Sequence, residues 1–85
     1  MKVEFIVSKL KNNDGDFWIV TENGGIIQEK WKNVKCLRYN HNIKKYVIHF
    51  FAHSKFQPIS NLFENPKEAS KISKQKINKI IGKKS

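Results

Sequence analysis

Eighty-five residues with a net charge of +10, 39% hydrophobic and 12% aromatic, predict a single domain spanning residues 1–85 with a modest core, because a chain this short buries only about two-thirds of its unfolded surface. The apolar content excludes a disordered chain. The lone Cys36 excludes an internal disulfide and a Cys-rich metal site, and no apolar run reaches the ~18 residues of a membrane helix.

Residues 2–10, KVEFIVSKL, alternate with period two: Val3, Phe5 and Val7 share one side, which predicts a strand. The stretch lacks a long apolar run and a cleavage site, so no signal peptide is expected and the chain reads as cytoplasmic. KNNDGD should form a hairpin turn, since Asn, Asp and Gly tolerate positive φ. FWIVTE (17–22) reads as a second strand, and NGG as another turn. IIQEKW (26–31) and NVKCLRY (33–39) read as third and fourth strands, split by a bulge near Lys32. NHNIK turns the chain. KYVIHFFA (45–52) is apolar on both faces and reads as central, or as presenting aromatics to a ligand. FQPISNLF is an irregular or edge segment, because Pro58 cannot donate to a ladder. The sheet is thus expected within residues 2–63.

The closing stretch ENPKEASKISKQKINKIIGKKS carries helix signals. Asn65 suits the N-cap, Pro66 the first helical position, and Glu68 completes a box-like start, predicting a helix over 66–81. Ala69, Ile72, Ile77, Ile80 and Ile81 fall within about a half-circle at ~100° per residue, so Ile72, Ile77 and Ile80 are expected against the sheet. Lys67, Lys71 and Lys74 project from the other side. Lys76 falls inside the apolar arc and must snorkel or sit at a packing gap. Gly82 is a natural stop, and 82–85 read as a frayed basic tail. The fold expectation is α+β: a curved antiparallel sheet of about four to five strands with one C-terminal amphipathic helix packed on it.

Chemistry is sparse. His49 and His53 would be roughly 13 Å apart on a strand, too far for one zinc. His41, Asp14 and Asp16 read as turn residues. Ser8, Ser54 and Ser60 sit in no elbow motif, and NGG is followed by no GK[ST]. No enzyme, metal or cofactor is expected.

Basic and aromatic residues do interleave. Trp31 lies between Lys30 and Lys32, Tyr39 follows Arg38, Tyr46 follows Lys44 and Lys45, and Phe56 follows Lys55. Single-stranded nucleic acid is bound by this mixture, with rings stacking on bases and lysines following the backbone. Ordinary strand alternation, with rings inward and lysines outward, produces the same pattern. The charge has two sources as well. It attracts nucleic acid, an acidic membrane surface or an acidic protein. Yet every basic residue but Arg38 is Lys, and Asn and Ile are abundant, as an AT-rich genome would dictate.

In outline, strands followed by a helix are similar to two known architectures: the whirly-type single-strand-binding fold, and the small bacterial pleckstrin-homology-like fold, whose last helix closes one end of a bent sheet. The segment EKWKNVKCLRY…KKYVIHFF…PISNLFENPKEASKI resembles the second. Neither outline brings a diagnostic motif, so the chain is assigned to no family. Two functions are expected to compete. One is binding of single-stranded DNA or RNA with low sequence specificity through Lys30, Trp31, Lys32, Arg38, Tyr39, Lys44, Lys45, Tyr46, Lys67, Lys71 and Lys74; a single Arg argues against bidentate base readout. The other is a protein-interaction module, such as a phage or mobile-element accessory protein, docking on an acidic protein surface with its rings as anchors. A homodimer is compatible with either.

Overall fold

The computed structural model describes residues 1–82. Helix α1 (Val3–Asn12) precedes strands β1 (Asp16–Val20) and β2 (Ile26–Lys30), and a 3-10 turn at Trp31–Asn33 leads into β3 (Val34–Asn40) and β4 (Lys45–Phe50). Strand β5 (Phe56–Pro58), a 3-10 turn at Ile59–Asn61 and strand β6 (Leu62–Phe63) then lead to helix α2 (Pro66–Gly82). Gly82 is still helical, so it does not begin the tail; residues 83–85 lie outside the described residues.

The first element corrects the expectation of a strand. Val3, Ile6, Val7 and Leu10 are spaced i, i+3, i+4, i+7, and this helical period competes with the alternation of Val3, Phe5 and Val7 in the same ten residues. Helix wins because it buries Ile6 completely in the core, with Phe5 and Leu10 packed beside it. Glu4 in the first turn and Lys9 and Lys11 in the last agree with the helix dipole. KNNDGD therefore ends a helix instead of forming a hairpin. Asn13 takes the left-handed conformation (φ 54°) and its N–H donates to the Lys9 carbonyl at 2.8 Å.

The strands form two antiparallel three-stranded sheets, β2-β1-β6 and β3-β4-β5, where one curved sheet was expected. The break has a local cause. At the Trp31–Asn33 turn the chain leaves the first sheet, and Trp31 drops into the core at 1% exposure. A register shift between Val34 and Cys36 follows directly. The 3-10 turn at Ile59–Asn61 divides the last strands in the same way. One hydrophobic cluster serves both sheets: Ile6 from α1, Phe17 and Ile19 from β1, Trp31 from the 3-10 turn, Val34 from β3, Ile48 and Phe50 from β4, and Leu62 from β6.

Phe17 and Ile19 point into that cluster, so Trp18 and Val20 lie on the opposite face of β1. Helix α2 packs chiefly on β1, β6 and β2, on the Val20 side. Asn65 caps it as expected, its Oδ1 accepting from the N–H groups of Lys67 (2.8 Å) and Glu68 (3.3 Å). The residues in closest contact are Ala69 and Ser73, both buried, with Ile72 and Lys76 half-buried. The Ser73 hydroxyl donates to the Gly24 carbonyl. Lys76 occupies the packing gap: its Nζ donates to the carbonyls of Val20 (3.3 Å) and Thr21 (3.4 Å) and to Asn61 Oδ1 (3.4 Å).

The isoleucines expected against the sheet are only partly there. Ile72 is half-buried, but Ile77 and Ile80 are about two-fifths exposed and Ile81 more so. The first turns of α2 cover the small sheet, and the last turns reach past it. Ile77→Ala is therefore expected to cost only about 1 kcal/mol, below the 2–5 kcal/mol of a fully buried truncation. A urea titration checks this; a loss of 3 kcal/mol or more would mean that Ile77 is a core residue.

Candidate nucleic-acid interface

The expected binding residues separate into three places. The first is the β3–β4 hairpin. Asn40 shapes its turn, its Oδ1 accepting from the N–H groups of Asn42 (2.9 Å) and Ile43 (3.3 Å), while Lys44 takes a positive φ of 55°. Pairing then sets Tyr39 opposite Tyr46. Cross-strand partners share a face, so the two rings meet edge-on at 5.1 Å, and His41 packs edge-on against Tyr39 at 4.9 Å. They extend the core-facing row of Leu37 and Ile48 beyond the core, which leaves Tyr39 42% and Tyr46 43% exposed. Arg38 and Lys45 lie on the reverse face with His49 and Phe56, and Lys44 stands at the tip. The hairpin end thus carries accessible rings on one face, two cations on the other and Lys44 at its tip. His41 belongs to this group although the sequence marked it only as a turn residue.

The second place is the outer side of α2. Lys67, Lys71 and Lys74 line one shallow groove along it with Ser70, Gln75 and Asn78. They are exposed. Because α2 packs chiefly on the β2-β1-β6 sheet, the stripe and the hairpin belong to different layers.

The third place corrects the reading of Trp31. Its ring lies against Phe17, centroids 4.2 Å apart, inside the core, and no base can reach it. Its flanking lysines, Lys30 and Lys32, are exposed and open onto a cleft whose accessible ring is Trp18. Trp18 was hidden in the sequence among Phe17, Ile19 and Val20. The signal that finds it is alternation, which puts it on the face away from Phe17 and Ile19.

The remaining polar groups are spread out. His49 lies 5.9 Å from the Phe56 ring and His53 5.0 Å from the Phe50 ring. Among the described residues, no three His, Cys, Asp or Glu side chains gather as metal ligands, and no helix is long and apolar enough to cross a membrane. No family model, curated protein or solved structure significantly matches the chain.

Proposed function

We propose that the protein binds single-stranded DNA or RNA with low sequence preference, and that the β3–β4 hairpin is the primary contact. The observation that carries this reading is the exposed pair Tyr39–Tyr46 at a hairpin end that carries Lys44 at its tip and Arg38 and Lys45 on the reverse face. Exposed rings bordered by cations supply what an unpaired strand needs: π faces for its bases and positive charge along its backbone. The net charge of +10 adds long-range attraction that salt screens. Lysine outnumbers arginine, which suits phosphate contact over base readout.

The test is a titration of labelled oligonucleotides at two salt concentrations. Affinity should fall with a log–log slope of about −0.7 per phosphate contacted. Tyr46→Ala should weaken binding by roughly 1–3 kcal/mol at both concentrations, and the fold should persist because the ring lies outside the core. Joint replacement of Lys44 and Lys45 by Gln should flatten the slope. The same changes at Lys67, Lys71 and Lys74 show whether the strand also crosses α2. Absence of binding at low salt would sink the proposal.

One observation favours a second reading, a protein partner. Ile77, Ile80 and Ile81 leave an apolar surface on the last turns of α2, and Ile26, on the face of β2 that α2 borders, is 45% exposed. An acidic protein with an apolar centre would suit it.

A further inference from the structure

Where α1 ends, β1 begins and β2 runs into its 3-10 turn, a cleft of about 500 Å³ opens. That volume suits one small ligand. Trp18, half-buried, stands on the face of β1 that α2 covers further along at Val20, with Gln28 of β2 and Phe63 of β6 as its cross-strand neighbours. Lys9 comes from the last turn of α1, Lys30 from the end of β2 and Lys32 from the 3-10 turn. Asp14 and Glu64 line the cleft as well, and Asp16 does so while accepting from Gln28 Nε2 at 2.9 Å.

These charges share one cleft yet none is in an ion pair, among the described residues. Three cations and three carboxylates beside an aromatic ring, with Asp16 and Lys30 as cross-strand partners, are a poor fit to a plain anion. They fit a ligand with a flat ring, a phosphate and hydrogen-bond donors. We propose that this cleft holds one nucleotide of the bound strand and favours bases that carry an amino group. The proposal rests on the single-strand reading above and adds a second contact to it.

The chemistry assigns the roles. The Trp18 ring stacks on the base. Lys9, Lys30 and Lys32 take the flanking phosphates. An ionised carboxylate only accepts hydrogen bonds, so Asp14 and Glu64 reward bases that donate. Cytosine offers its N4 amino group and adenine its N6 amino group, and guanine an amino group beside a ring N–H. Thymine and uracil flank their one N–H with two carbonyls, which a carboxylate repels.

The experiment uses the full chain and oligo-dC and oligo-dT of equal length. It reads intrinsic fluorescence, and separately the anisotropy of the labelled strand. Trp31 is sealed in the core, so quenching on binding reports Trp18. Oligo-dC should quench the emission and bind several-fold tighter than oligo-dT. Trp18→Leu should abolish the quench and weaken oligo-dC by about 5- to 150-fold, whereas Trp18→Phe should keep most of the affinity. Joint Asp14→Asn and Glu64→Gln, both exposed, should bring the two oligonucleotides together. Melting curves of each variant establish that it is folded. If oligonucleotides bind while wild-type emission does not change, or if folded Trp18→Leu binds like wild type, the cleft is not a nucleotide site and the hairpin reading stands. If binding occurs with a quench but dC and dT are equal, the amino-group preference is wrong. If no oligonucleotide binds at low salt, the single-strand reading falls and takes this proposal with it.

Discussion

Trp31→Ala is expected to cost about 3–5 kcal/mol of folding stability. The side chain is 1% exposed, the largest wholly buried residue in the protein, and its ring packs on Phe17 at 4.2 Å within the cluster that joins both sheets. Truncation leaves a cavity that cannot collapse from one side, because strands of both sheets and α1 line the same cluster. The loss is a large fraction of the 5–15 kcal/mol that holds a small domain together. Chemical denaturation with circular dichroism measures it directly. Trp31→Phe should retain much of the stability and bind oligonucleotides like wild type. A stable Trp31→Ala that binds them weakly would instead return Trp31 to the surface and to the site.

Gly24→Ala should cost about 2–4 kcal/mol and lower the melting temperature by roughly 10–25 °C. Gly24 is buried and has φ +89°, a conformation that disfavours any side chain. Space is lacking too: a Cβ here would stand 2.6 Å from Ile77 Cγ1 and 3.2 Å from the Ser73 carbonyl oxygen. The turn therefore has to be glycine for α2 to approach, with the Ser73 hydroxyl donating to the Gly24 carbonyl. Adding Ile77→Ala to the variant should return the part of the loss due to the side-chain clash and leave the backbone part, so the two changes are coupled. Full additivity would mean that Ile77 does not pack over Gly24.

How far the candidate site could be read depended on whether it was local. Arg38, Tyr39, Lys44, Lys45 and Tyr46 were legible because one short turn, NHNIK, places their strands opposite each other, and pairing across a hairpin needs only nearby sequence. Trp31 was misread and Trp18 missed for one shared reason. Each is an aromatic within a run of strand-like residues, and its exposure depends on which sheet lies over it. Lys30 and Lys32 surround Trp31 in sequence but open onto Trp18 in space, since the 3-10 turn sends Trp31 inward and leaves its neighbours outside.

By itself the sequence determined the composition class, the turns at NGG and NHNIK, the strands from β1 to β4, the closing helix with its Asn65 cap, and the need for Lys76 to snorkel or sit at a packing gap within an apolar arc. These follow from local chemistry: backbone preferences, periodicity and capping act over a few residues. The tertiary structure alone decided three other matters. It turned residues 3–12 into a helix, because two periodicities fit that stretch equally and only burial of Ile6 against β-strands distant in sequence separates them. It divided one expected sheet into two at the 3-10 turn where Trp31 enters the core. It also left Ile77, Ile80 and Ile81 partly in solvent. An amphipathic pattern specifies which side of a helix is apolar, but the length of that side which is covered depends on the size of the sheet beneath it.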